Sequence, residues 1–153
     1  MDDIRIAPTD PALPDIVRLL EAGDAAMAAL YPAESNHMLD VDALRRPGVT
    51  FLAAWRGGRA VGCGAWVRRD GYGELKRLFV DPETRGHGLG RRLVAALEQA
   101  ARAEGIRLLR LETGIRSHEA LALYRAAGYG ETGPFGDYRP DPLSVFMEKR
   151  LGA

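Results

Sequence analysis

The sequence predicts an α/β chain of the α+β kind with a mixed sheet, and three observations carry that prediction. Two apolar runs, residues 49–55 and 60–67, flank Arg56-Gly57-Gly58-Arg59, a tight-turn sequence that makes them antiparallel neighbours. Further on, a strand pattern ends at Asp81-Pro82, a glycine-rich turn follows, and helical periodicity leads into another strand pattern, which makes a parallel pair with a crossover. Apolar residues recur at helical spacing in three long segments.

Taken in order, Ile4 and Ile6 alternate with Asp3 and Arg5 as a first strand, stopped by Pro8, Asp10 and Pro11. Ile16, Val17, Leu20, Met27 and Leu30 space a first helix over residues 13–30, with Gly23 weakening its middle. Residues 31–37 break the period, and residues 40–45 read as a short helix that ends before Pro47. After the hairpin, Arg69-Asp70-Gly71 turns the chain into a third consecutive strand over residues 72–80. Leu93, Val94, Leu97, Ala100 and Ala101 form a helical face that stops at Gly105, and residues 106–112 alternate as the returning strand. Ser117 is placed to cap a helix over residues 117–127, with Gly128 as its stop. Residues 129–132 and 143–149 supply two short final strands. With 153 residues and no repeat or linker, one domain over residues 1–153 is expected.

Lys and Arg total 21 and Asp and Glu 21, so no global basic field argues for nucleic acid, and recognition by charge must be local. The apolar stretches fall well short of the roughly 20 residues a bilayer span needs. A lone cysteine, Cys63, and a charged start where a secretory signal needs an apolar run make a reducing cytoplasm the expected compartment. Cys63 lies inside an apolar strand and reads as packing rather than as a nucleophile. No metal-ligand pattern is singled out, and monomer and homodimer both stay open.

The run Val80-Asp81-Pro82-Glu83-Thr84-Arg85-Gly86-His87-Gly88-Leu89-Gly90 lies where a strand ends and a helix begins. Backbone N–H groups and the helix dipole converge there, a favourable place for phosphate. Gly86, Gly88 and Gly90 permit close approach of an anion, and Arg85, Arg91 and Arg92 add positive charge, so a pyrophosphate is the expected ligand. No Gly-Lys-Ser/Thr closes the run as a Walker A loop, and the glycine spacing and late position do not fit a dinucleotide fingerprint.

Arg85, Gly88 and Gly90 match Arg/Gln-x-x-Gly-x-Gly/Ala, so the chain resembles the GNAT superfamily of acyl-CoA N-acyltransferases. Ala120-Leu121-Ala122-Leu123-Tyr124-Arg125-Ala126-Ala127-Gly128-Tyr129 likewise resembles that family's Ala-x-x-Leu-Tyr-x-x-x-Gly-Phe/Tyr segment, and the order of elements agrees over nearly the whole chain. The resemblance implies a mostly antiparallel central sheet with one parallel pair splayed at the cofactor site, flanked by about four helices. It implies acetyl-CoA as the cofactor and direct transfer of its acetyl group to a primary amine. Main chain at Leu78, Phe79 and Val80 would hold the pantetheine arm, Arg85, Gly86, His87, Gly88, Leu89 and Gly90 the pyrophosphate, and Arg91 would flank it. Tyr124 would stand near the sulfur as general acid, a role its phenol suits, against a plain core-aromatic reading. Many members have asparagine where this chain has Ser117, which can cap the helix or reach the cofactor.

Attack on a thioester needs a neutral amine and therefore a base. Glu74, early in the coenzyme-binding strand, is a candidate; its alternative is a strand carboxylate paired with Lys76 on the same face, and His37 is the rival base. The polar stretch Glu34, Ser35, Asn36 and His37 is the expected acceptor loop, with Phe135 and Tyr138 on a long connection as a second wall. The acceptor itself is expected to be a small-molecule amine. A catalytically silent acyl-CoA-binding module and an acyltransferase acting on a protein amine are the competing readings.

Overall fold

The computed structural model describes residues 3–33 and 39–152. The elements run β1 (Ile4–Pro8), α1 (Pro14–Ala28), α2 (Val41–Leu44), β2 (Val49–Arg56), β3 (Arg59–Arg68) and β4 (Gly73–Val80). After a 3-10 turn at Pro82–Thr84 come α3 (Leu89–Ala103), β5 (Leu108–Gly114), α4 (His118–Ala126), β6 (Gly130–Thr132) and β7 (Ser144–Arg150). The strands form one seven-stranded sheet in the order β1-β2-β3-β4-β5-β7-β6, antiparallel throughout except for β4 and β5. The mixed α/β sheet read from the sequence is present, with α1 and α2 on one face and α3 and α4 on the other.

Alternation sorts the side chains between those faces. Phe51, Ala53, Cys63 and Ala65 face Ile16, Leu19 and Leu20 of α1 and Leu44 of α2. Leu52, Trp66, Leu75, Leu109, Leu111 and Met147 meet Val94, Leu97 and Ala101 of α3 and Leu121 and Tyr124 of α4. Close packing of α3 on β3 requires small residues. A Cβ on Gly62 would stand 2.9 Å from Leu93 Cδ1, and one on Gly64 2.9 Å from Leu97 Cδ1.

Three local devices depart from the sequence reading. The strand expected from residue 106 starts at Leu108, because Ile106 N–H reaches back to Ala101 O (3.0 Å) and Gly105 N–H to Arg102 O (3.0 Å), a Schellman end to α3. Ser117 occupies the N-cap position of α4, but its hydroxyl caps nothing and bonds Tyr31 Oη at 2.8 Å instead. In β4 the register against β3 slips, Cys63 pairing with Phe79 but Ala65 with Lys76. The extra residue is accommodated by Arg77 at φ 61°, a left-handed conformation unusual for a side-chain-bearing residue. Arg77 is held there by a 2.6 Å ion pair to Asp24 and a 3.0 Å hydrogen bond to Leu20 O, both on α1.

The start of α1 is fixed in the same way. Pro14 opens the helix, and Asp15 accepts from Arg18 Nε at 2.6 Å and from the Ala60 amide at 2.6 Å, tying the helix to β3. The Arg18 hydrogen bond, helped by the Ala60 amide, holds the Asp15 carboxyl at about 2, below its ordinary 3.8. A carboxyl lowered on folding adds stability above its unfolded value, and that stability is lost as pH falls from 3.8 towards about 2. Asp15→Asn is therefore expected to cost about 1 kcal/mol at neutral pH after solvent screening, and to flatten the acid limb in that window. Thermal denaturation across a pH series measures both effects.

Candidate active site

The site begins where two strands part. β4 and β5 pair only at Gly73 with Leu109 and Glu74 with Arg110. Beyond those positions β4 stays with β3 as far as Val80, while β5 follows β7 to Gly114. The wedge between them opens into a cleft of about 580 Å³. Its β4 wall carries Lys76, Leu78, Phe79 and Val80, its β5 wall Glu112, Thr113 and Gly114. Helix α1 contributes Leu20, Gly23 and Met27, followed by Leu30 and Tyr31, and α4 contributes Ala120, Leu123 and Tyr124.

At one end of the cleft lie Arg85, Gly86, Gly88, Leu89, Gly90 and Arg91. Gly86 (φ 89°) and Gly88 (φ 75°) adopt backbone that favours glycine, and a Cβ on either would project into open space. Gly88 is the N-cap of α3 and offers no side-chain cap, so the first N–H groups of a 15-residue helix face outward. Arg85 Nε donates to Val80 O at 3.2 Å, and its guanidinium lies 5.6 Å from the Phe79 ring centroid and 3.8 Å from Glu119. Together these form a cationic, glycine-lined helix start, the environment of a phosphate group.

Tyr124 reaches the cleft from α4 and is 7 % exposed. Its carbonyl accepts the Tyr129 N–H (2.9 Å) and the Arg125 carbonyl accepts the Gly128 N–H (3.0 Å), a second Schellman end that locks the last turn of α4. Tyr129 then packs edge-to-face on Tyr124 at 5.8 Å and donates to Glu98 Oε2 at 2.8 Å, while Lys149 Nζ bonds both Glu98 oxygens (3.0 and 3.1 Å) and Ala127 O (2.7 Å). No described residue hydrogen-bonds the Tyr124 hydroxyl, and burial pushes the phenol above its ordinary value, so its proton stays in place at neutral pH.

A family model for the acetyltransferase (GNAT) family matches residues 16–129. The chain belongs to that family. It is 49% identical over 153 residues, covering 99% of this chain and all of the relative, to a protein named IAA acetyltransferase from Azospirillum brasilense. A solved structure from Klebsiella pneumoniae subsp. pneumoniae MGH 78578, assigned to the acyl-CoA N-acyltransferases, superposes with TM-score 0.83 at 42% identity, covering 97% of this chain and 98% of that one. A Salmonella typhimurium protein solved with its cofactor acetyl-CoA shares the fold (TM-score 0.75, 21% identity, 99% and 95% covered). This GNAT protein is thus an N-acetyltransferase that uses acetyl-CoA. The residues present fit the cofactor: a cradle that a Cβ would fill lies at one end of the cleft, and strand edges without sheet partners among the described residues run along its length.

Among the residues expected from sequence, the cleft lining of this acetyltransferase brings together Leu78, Phe79, Val80, Arg85, Gly86, Gly88, Leu89, Gly90, Arg91, Ser117 and Tyr124. His87 is exposed and outside the lining. Glu34, Ser35, Asn36 and His37 lie outside the described residues. Phe135 and Tyr138 are not on the cleft wall. Phe135 is buried, and the two rings stack on each other at 5.1 Å and on Phe146 at 5.8 and 5.4 Å, with Tyr72 at 5.6 Å from Phe135. These aromatics close a cluster under the sheet, because apolar rings on a long connection gain more from burial than from lining a wet wall.

Glu74 is 2 % exposed and does not line the cleft. Its Oε1 accepts from Arg69 at 3.0 Å, and its Oε2 accepts the Tyr138 hydroxyl at 2.6 Å with Lys76 Nζ at 3.3 Å. Pairing with Lys76, the alternative raised by their shared strand face, is what the geometry contains. Cys63 is fully buried, and burial pushes its thiol up to about 12, so no thiolate is available there. Sequence reasoning passed over Glu112, Met27 and Arg116, which do line the cleft, as does Tyr31 at the head of the expected acceptor stretch. Glu112 had one signal, a carboxylate placed two residues beyond Arg110 on the parallel strand. Because Arg69, Lys76 and Tyr138 would lose the buried carboxylate they share, Glu74→Gln is expected to lower stability by about 3 kcal/mol. Chemical denaturation measures that loss, and an undiminished stability would show the network to be dispensable.

Proposed function

We propose that this chain acetylates a primary amine of a small molecule in the cytoplasm by direct attack on acetyl-CoA, within one catalytic unit spanning the chain. The observation that carries the reading is the Tyr124 phenol, buried, neutral and unclaimed by the other described residues, on the wall of a cleft whose far end is the glycine cradle. In this reading Gly86, Gly88, Leu89 and Gly90 hold the pyrophosphate through main-chain N–H groups, Arg85 and Arg91 add charge, and the free edge of β4 at Leu78, Phe79 and Val80 meets the pantetheine arm. Bound there, the cofactor supplies an activated thioester. Tyr124 holds a proton for the departing sulfur, and Ser117, fastened to Tyr31, shapes the same wall.

No nucleophilic side chain is needed, and Cys63, buried with a raised thiol, does not offer one. A neutral overall charge suits a small acceptor better than a polyanion. Among the described residues no helix is long and apolar enough to cross a membrane. The name of the Azospirillum relative makes IAA a compound to include among the acceptors tried.

The test is release of free CoA thiol from acetyl-CoA in the presence of a panel of primary amines, IAA and lysine-containing peptides. Turnover with a small amine is the expected result. Tight acetyl-CoA binding with no turnover on any acceptor would identify a silent binding module, and turnover confined to the peptides would identify a protein acetyltransferase. Tyr124→Phe is expected to lower kcat by about 10²-fold with acetyl-CoA affinity within twofold of wild type. Since burial raises the phenol, the wild-type rate should show no loss from Tyr124 ionisation on the alkaline side as far as pH 10, its ordinary value. An unchanged kcat in the Phe variant would remove the phenol from the reaction.

A further inference from the structure

We infer that the acceptor carries a carboxylate beside its amine and that Arg116 binds it, which makes the acceptor class the α-amino acids with apolar side chains; this rests on the amine reading above. Among the described residues, the lysines and arginines on the cleft wall are Lys76, Arg77, Arg85, Arg91 and Arg116. Arg85 and Arg91 flank the glycine cradle. Lys76 pairs with Glu74 and donates to the Tyr138 hydroxyl, and Arg77 pairs with Asp24. Arg116, exposed on the loop between β5 and α4, has no carboxylate partner among the described residues.

Its guanidinium is nevertheless held in place. Tyr31 Oη accepts the Arg116 amide at 2.9 Å and bonds Ser117 Oγ at 2.8 Å, so the loop is fastened to the end of α1. A Cβ on Gly114 would collide with the Tyr31 ring, so the glycine that ends β5 is what lets the phenol reach this loop. Arg116 Nη1 then donates to Leu30 O at 2.7 Å, which ties the side chain to the α1 side of the cleft. Nε and Nη2 form the edge of a guanidinium that takes a carboxylate through two parallel hydrogen bonds, and neither has a partner among the described residues.

Apolar residues surround that edge. Leu30 and Leu143 line the cleft and meet the loop through their carbonyls, Leu30 O taking Arg116 Nη1 and Leu143 O taking the Ile115 amide at 2.9 Å. Met27 stands one turn back on α1, its carbonyl accepting the Tyr31 amide at 3.0 Å. Leu30 and Ile115 are 38% and 41% exposed, large apolar side chains left uncovered beside the fork. A carboxylate fork next to a hydrocarbon wall fits an amino acid whose own side chain is hydrocarbon. A polyamine would bring a second positive charge towards the guanidinium, and an aminosugar would set its hydroxyls against the leucines. An α-amino acid carries its nitrogen one carbon from the carboxylate, so gripping the carboxylate also fixes where the amine stands.

Steady-state kinetics with matched acceptors tests the assignment: L-leucine against 3-methylbutylamine, and L-phenylalanine against phenethylamine, each amine being the amino acid without its carboxylate. In the wild type, kcat/KM is expected to favour at least one amino acid over its amine by about tenfold or more. Arg116→Gln is expected to cut that preference about thirtyfold, through a higher KM for the amino acid at nearly constant kcat, with KM for acetyl-CoA within about twofold of wild type. Arg116→Lys, which keeps the charge without the fork, should recover part of the preference. Three results overturn the assignment: turnover of other amines but of neither amino acid, an equal loss on acid and amine in Arg116→Gln, or a rise confined to the KM for acetyl-CoA. Should no amine of any kind be acetylated, the proposed reaction falls, and calorimetric titration of L-leucine and L-phenylalanine into the CoA-loaded protein still decides Arg116. Binding that weakens about tenfold or more in Arg116→Gln upholds its role, whereas equal affinity, or no wild-type binding of either amino acid, refutes it.

Discussion

The separation of β4 from β5 is the constraint on which the rest of the molecule depends. A parallel pair that stays zipped would bury its backbone groups and leave no opening through the sheet. Here the pairing lasts two residues, after which, among the described residues, each strand keeps only its outer neighbour. The inner edges beyond Glu74 and Arg110 carry N–H and C=O groups that need partners from a ligand or from water. The bulge at Arg77 belongs to the same device. A left-handed residue in mid-strand is costly, and the ion pair to Asp24 with the hydrogen bond to Leu20 O offsets that cost while docking β4 against α1.

Two polar clusters brace the wedge from opposite faces. On the α3 and α4 side, Glu98 is satisfied by Tyr129 and Lys149, and Lys149 also takes the Ala127 carbonyl, so the end of the helix bearing Tyr124 is pinned to β7. On the α1 side, Glu74, Arg69, Lys76 and Tyr138 form a connected network at the root of the wedge. A half-satisfied set of this kind would be worse than an apolar core, and each of these buried carboxylates has at least two donors.

Hydrophobic period and turn residues made the order of elements readable, and the glycine run after β4 marked one end of the cleft, because both signals are local. What lay hidden depends on tertiary placement. Nothing in Leu75-Lys76-Arg77-Leu78 announces a residue at φ 61°, since the strain is held by contacts with α1. Ser117 reads as a helix cap by position, and only the arrival of Tyr31 from the end of α1 diverts its hydroxyl. Phe135 and Tyr138 look like cover for a pocket until the ring cluster with Tyr72 and Phe146 is seen. Glu74 and Glu112 show the difficulty most directly. Both are carboxylates on neighbouring strands with the same facing, yet one lies at the closed root of the wedge among donors and the other just beyond the point of parting. Two residues of register separate a buried, multiply paired carboxylate from one that lines the cleft.

That short distance explains why a sheet serves direct transfer well. Opposite faces of a sheet are separated by one layer of backbone, so side chains projecting from either side can meet only where the backbone is removed from between them. The wedge removes it. A carboxylate and a phenol in direct hydrogen bond occupy each other's functional atoms, as Glu74 and Tyr138 do at 2.6 Å. Tyr124 is buried among apolar residues instead, and no described residue hydrogen-bonds its hydroxyl.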